Sequence, residues 1–136
     1  MNVKRILVTG ATGFLGSRTV EHLAKMEDVC VVATGRTMKP HNEVKASNVT
    51  YSLGDLADAE VVDRLVQGVD AIVHAAALSS PWGRKDAFWN ANVEPTRLLL
   101  EAAARHGVKR FVFVSTPSMY FEMKPQLGIT EDHPLP

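Results

Sequence analysis

Ile6-Leu7-Val8-Thr9-Gly10-Ala11-Thr12-Gly13-Phe14-Leu15-Gly16 is the stretch that decides the fold of this 136-residue chain. Ile6 to Val8 is a short apolar run that reads as a buried strand. Gly10, Gly13 and Gly16 follow in the spacing Gly-x-x-Gly-x-x-Gly. Leu15, Val20, Leu23 and Ala24 then recur on one face of a helical pattern. Strand, glycine turn and helix together make a phosphate cradle. Gly10 permits the tight turn, Gly13 lets the backbone approach a pyrophosphate, and Gly16 lets the helix pack close to the strand. The helix N-terminus offers free N–H groups and a positive dipole end to an anion. The chain has neither the commoner Gly-x-Gly-x-x-Gly spacing nor a Gly-Lys-Ser/Thr loop at this place.

Outward from the turn, strands and helices alternate. Val29 to Thr34 reads as the second strand, 37 to 48 as a loop carrying Pro40, His41, Asn42, Ser47 and Asn48, and Val49 to Leu53 as the third strand. A helix is expected over Ala59 to Gln67, with Val62, Leu65 and Val66 inward and Gly68 as its stop. Asp55 and Asp58 compete to cap it. Val69 to His74 is the fourth strand. Residues 79 to 88 read as a loop, and Ala91 to His106 as a helix with Leu98, Leu99, Ala102 and Ala103 inward. Pro95 is tolerable there only near the first turn or at a kink. Lys109 to Val114 is the fifth strand. This alternation predicts an α/β, doubly wound, open parallel sheet in the order 3-2-1-4-5, with helices on both faces. The ligand crevice belongs at the switch between strands one and four.

Thr9-Gly10-x-x-Gly13-x-x-Gly16, His74-x-Ala76-Ala77, Asn92-Val93 and Ser115-Thr116-x-x-x-Tyr120 together resemble the extended short-chain dehydrogenase/reductase family, the NAD(P)-dependent epimerases, dehydratases and reductases, with a Rossmann-type fold. Ser79-Ser80-Pro81-Trp82-Gly83 with Thr116 to Phe121 looks closest to the 3β-hydroxysteroid dehydrogenase-like branch. The resemblance implies cofactor binding by Gly10, Thr12, Gly13, Phe14, Leu15 and Gly16. It implies that Asp55 accepts from the adenine amine, that Leu56 packs on the ring, and that Ala75, Ala76 and Ala77 form a clear floor. Asn92 is implied to order the pocket. Pro95-Thr96 stands where the family usually carries Gly-Thr. Thr116, with Ser115 as the alternate, is implied to hold the substrate oxygen. At the end of the second strand, Thr34-Gly35-Arg36 offers no carboxylate for a ribose 2′-hydroxyl, and Arg36 suits a phosphate. NADP(H) is therefore expected over NAD(H).

The family chemistry also needs a Tyr and a Lys four residues later on one helix face. Tyr120 and Lys124 have that spacing, but Pro117 and Pro125 bracket them, so they read as decoys. Ile129 to Pro136 resembles the family segment just before the true Tyr-x-x-x-Lys helix. One incomplete dinucleotide-binding domain is therefore expected over 1–136, with the sixth strand, the catalytic helix and the substrate domain outside it. Alone it is expected to bind dinucleotide weakly and to turn over nothing. A non-catalytic dinucleotide sensor is the competing class. His74 reads as a packed neutral histidine rather than a base.

Composition bounds the partners. Hydrophobic residues make up 46% and charged residues 22%, which suits a folded core, and the net charge of zero gives no electrostatic case for nucleic acid or an anionic membrane. No apolar run reaches membrane-spanning length. A cytoplasmic protein acting on a small molecule, without a metal, is the expectation. The lone Cys30 reads as a buried thiol. The fifth strand as an open edge leads us to expect a homo-oligomer.

Overall fold

The computed structural model describes residues 2–136. Five strands form one parallel sheet, β1 (Lys4–Thr9), β2 (Val29–Ala33), β3 (Val49–Tyr51), β4 (Ala71–His74) and β5 (Arg110–Phe113), in the order β3-β2-β1-β4-β5. This is the doubly wound Rossmann-type order expected from the sequence. The register pairs Val8 with Ala33 on one side of β1 and with Val73 on the other.

Successive side chains of a strand point to opposite faces, so a strand buried on both faces feeds two cores. On one face Leu7, Val32 and Ile72 pack with Leu56, Val62, Leu65 and Val66 of α2 (Ala59–Val66) and its approach. Leu98, Leu99, Ala102 and Ala103 of the helix over Glu94–Arg105 complete that core. On the other face Val8, Val31 and Ala33 pack with Val20 of α1 (Phe14–Leu23). The two remaining helices are α3 (Lys85–Phe88) and α4, the Glu94–Arg105 helix.

Asp58, not Asp55, caps α2. Its Oδ1 accepts from the amides of Glu60 at 2.9 Å and Val61 at 3.4 Å. Asp55 instead accepts from the Ala57 amide at 2.9 Å in a tight local turn.

Two expectations need correction. The loop read over 79 to 88 already turns helical at Lys85, where the Arg84 carbonyl accepts from the amides of Ala87 and Phe88. The long helix then passes through a π turn over Trp89–Val93 before α4. Pro95 sits in the first turn of α4, just past this widening, which relieves the clash its ring would make with the preceding turn of a continuous α-helix. Cys30 is half-buried rather than buried.

Strand β5 is one edge of the sheet, and Val112 and Phe113 on it are more than half exposed. Among the described residues, no helix is long and apolar enough to cross a membrane.

Candidate active site: the cleft at the strand switch

The glycine turn stands at the C-terminal end of β1, where the sheet order reverses. Gly10 has φ +65°, and a Cβ on it would meet the backbone of Ala75 and Ala76 at 2.8 and 2.7 Å. Only glycine lets the turn lie directly on the chain leaving β4. A Cβ on Gly16 would lie 2.0 Å from the Gly10 carbonyl oxygen, so α1 starts as close to the turn as backbone atoms allow. Gly13 has a single neighbour, the Gly10 oxygen at 3.3 Å. A side chain there would fill the cradle itself. Helix α1 begins at Gly13 with no side-chain cap and no acidic residue in its first turn, leaving its positive end for an anion.

A cleft of about 580 Å³ opens over this turn. Gly10, Thr12, Gly13, Phe14, Leu15 and Gly16 line it, with Arg36, Asp55, Leu56, Ala75, Ala76 and Ala77. Those are all the cofactor-binding positions read from the sequence except Asn92. Residues the sequence reading missed share the lining: Lys39, Leu78, Ala87, Asn90, Ala91 and Pro95 among them. The α3 helix brings in Ala87, the π turn Asn90 and Ala91, and the start of α4 Pro95; α3 and the π turn had no local signal strong enough to announce them.

Asn92 stands behind the wall. Its Oδ1 accepts from the Leu78 amide at 2.7 Å, and its Nδ2 donates to the Leu78 carbonyl at 3.1 Å. The side chain thus completes both backbone bonds of Leu78, much as a neighbouring strand would, and fixes the chain after β4.

His74 ties the same region together. Its Nδ1 lies 2.7 Å from the Thr9 hydroxyl and its Nε2 2.8 Å from the Thr96 hydroxyl. Thr96 donates its proton to the Asn92 carbonyl at 2.7 Å, so it accepts from Nε2–H. Nδ1 then accepts from Thr9, which in turn accepts from the Ala76 amide at 3.2 Å. The relay runs in one direction only with a neutral ring. Burial pushes the His74 pKa down to about 4, in agreement with that tautomer. Packing against Phe111 and Phe113 encloses the ring further.

The hydroxyl residues after β5 lie outside the cleft lining. Thr116 opens a 3₁₀ turn (Pro117–Tyr120), accepting from the Ser118 amide at 3.2 Å and donating to the Ser118 hydroxyl at 3.1 Å. Ser115 donates to the Met119 sulfur. Tyr120 ends the 3₁₀ turn and donates to the Glu131 carbonyl at 3.2 Å, while Lys124 pairs with Glu122. Tyr120 and Lys124 share no helix.

Known proteins match this architecture. The NAD dependent epimerase/dehydratase family profile covers residues 6–136. The 2-alkyl-3-oxoalkanoate reductase of Stenotrophomonas maltophilia is 39% identical over 115 residues, which are 85% of this chain and 34% of that protein. The crystal structure of uronate dehydrogenase from Agrobacterium tumefaciens superimposes with a TM-score of 0.83 at 32% identity, over 100% of this chain and 49% of that one. WbmH from Bordetella bronchiseptica, solved in complex with NAD+, gives a TM-score of 0.86 at 26% identity, over 98% and 46%. The chain spans less than half the length of these relatives. With its family profile matched from the first strand to the last residue, the chain belongs to the NAD dependent epimerase/dehydratase family.

Proposed function

We propose that this chain is the dinucleotide-binding part of an NADP(H)-dependent oxidoreductase, epimerase or dehydratase. The observation that carries the reading is the cleft itself, which opens over the three-glycine turn and has Arg36 and Lys39 in its lining. The end of β2, Thr34-Gly35-Arg36, carries no carboxylate to claim a ribose 2′-hydroxyl. WbmH binds NAD+; the preference proposed for this chain rests on its own two cations.

A bound nicotinamide dinucleotide supplies a hydride donor or acceptor at its C4 carbon. In this reading the glycine turn and the first amides of α1 hold the pyrophosphate. Asp55 accepts from the adenine amine, Leu56 lies along the ring, and Ala75 to Ala77 leave the floor clear. Asn92 holds Leu78 in place. The Thr116 hydroxyl holds the oxygen of a small-molecule substrate, with Ser115 as the alternate. Tyr120 and Lys124 take no proton: one is engaged with a backbone carbonyl and the other with Glu122. The 136 residues form one dinucleotide-binding domain, incomplete beside a full family member, and the chain alone turns over nothing. That same geometry favours a second reading, a non-catalytic dinucleotide sensor. The protein is cytoplasmic in our reading, has no nucleic-acid or membrane partner, and self-associates along the exposed β5 edge.

Paired titrations of the purified chain with NADPH and NADH test the central part. Tighter NADPH binding is expected. Tighter NADH binding would overturn the NADP preference, and saturation by neither would overturn the dinucleotide reading. Turnover abolished by Tyr120→Phe would overturn the assignment of Tyr120.

A further inference from the structure

The segment between β2 and β3 is strapped across the glycine turn, although its composition alone reads as a free loop. Lys39 precedes a single 3₁₀ turn, Pro40–Asn42, in which the Asn42 amide donates to the Lys39 carbonyl at 2.9 Å. The Asn42 side chain then reaches over the turn, and its Nδ2 donates to the Thr12 carbonyl at 2.9 Å, thirty residues away in sequence. Beyond the latch, the Val44 amide donates to the Tyr51 hydroxyl at 2.9 Å and returns the strap to β3.

Thr12 is also the residue against which Gly35 is closed. A Cβ on Gly35 would meet the Thr12 hydroxyl at 2.5 Å. Gly35 therefore leaves the sheet packed against Thr12, which sets Arg36 beside the glycine turn, and the Lys39 backbone is tied through Asn42 to the carbonyl of the same threonine. Both cations line the cleft, both are exposed, and neither forms an ion pair with a carboxylate among the described residues. Glu43, the carboxylate next to the latch, is exposed on the strap. Without the latch, a lysine has enough rotamer and backbone freedom to spend most of its time in solvent, which weakens any fixed contact with an anion.

We infer that Asn42 is a positioning residue for Lys39, and that Lys39 is a second reader, beside Arg36, of a phosphate on the adenosine ribose. The inference rests on the NADP reading proposed above and adds the device that sets it. A lysine held over the cleft contributes a point charge that a 2′-hydroxyl does not use and a 2′-phosphate does, so the latch acts on NADPH and leaves NADH nearly untouched.

The test is a double-mutant cycle on the chain, with NADPH and NADH as the two probes and unfolding midpoints measured for every variant. Asn42→Ala and Lys39→Ala are each expected to lower NADPH affinity about tenfold and NADH affinity less than twofold, and the double variant is expected to match Lys39→Ala alone. Asn42→Leu, which keeps the volume but has no donor, repeats the measurement if Asn42→Ala does not fold. Equal losses of both dinucleotides, or an Asn42→Ala loss that persists in the Lys39→Ala background, would show that the latch supports the turn generally and would overturn the inference. A normal chain that prefers NADH, or an Arg36→Ala variant with an unchanged preference, would instead overturn the NADP reading itself.

Discussion

Gly16→Ala sets two effects of opposite sign against each other, and the structure says which wins. Gly16 lies inside α1, where alanine is the better helix former by about 1 kcal/mol. Its Cβ, however, would sit 2.0 Å from the Gly10 oxygen, 2.5 Å from the Gly10 carbonyl carbon and 2.9 Å from the Ala11 Cα. Ordinary contact requires more than an ångström of retreat. Neither side can give it cheaply, because Gly10 is already seated on the backbone of Ala75 and Ala76, and α1 is packed on the sheet through Val20. Overpacking a rigid site costs about 1–3 kcal/mol, and backbone on both sides puts this one at the top of that range. The expected net loss is about 2 kcal/mol, a fall of about 6–10 °C in Tm for a chain of this size. Urea and thermal unfolding measure it, with Gly68→Ala as the comparison. Gly68 has φ +73° but open space around it, so its substitution carries only the left-handed backbone cost of about 1 kcal/mol. A Gly16→Ala chain as stable as the parent, or a smaller loss there than at Gly68, would mean that the turn yields to the added Cβ and that no rigid close approach exists at this site.

Two further predictions concern buried polar groups. His74 is neutral in the fold and titrates near 4, below its ordinary 6.5, so the unfolded chain binds the extra proton first. Its contribution to stability is complete above pH 6.5 and declines as pH falls toward 4, by up to about 3 kcal/mol. Urea unfolding at pH 7 and pH 5 should show the decline, and a His74→Gln chain should lose most of the difference; an unchanged difference in that variant would place its origin elsewhere. Thr34 is fully buried and its hydroxyl has no hydrogen-bond partner among the described residues. Thr34→Val removes that unsatisfied group while keeping the β-branched shape, and is expected to raise stability by about 1 kcal/mol; a lower Tm would contradict this.

Local signals and long-range contacts divide what the sequence disclosed. The strand, glycine turn and first helix announce themselves within eleven residues, because each glycine answers a steric demand of its immediate neighbourhood. The strand order follows from alternation and handedness. His74 reads as a packed neutral ring from the sequence, but its partners Thr9 and Thr96 lie 65 and 22 residues away, and no spacing rule points to them. The strap over residues 39 to 42 escaped for the same reason: a Pro-His-Asn stretch reads as loop, and its latch depends on where the glycine turn lies in space. The π turn was foreshadowed only by Pro95, a residue that announces a departure from regular helix without saying which one. Asn92 reads as a residue that orders the pocket, but the backbone it bonds, that of Leu78, lies 14 residues away and no spacing rule names it.

The most direct measurement is the backbone amide spectrum of the ¹⁵N-labelled chain during titration with NADPH. The amides of Gly10, Gly13, Phe14, Leu15, Arg36, Lys39, Asp55 and Ala76 are expected to shift together along one saturating curve, while those of β5 and the Pro117–Tyr120 turn stay in place. Shifts confined to the β5 edge, with the glycine turn unmoved at saturation, would contradict the claim that this cleft holds the dinucleotide.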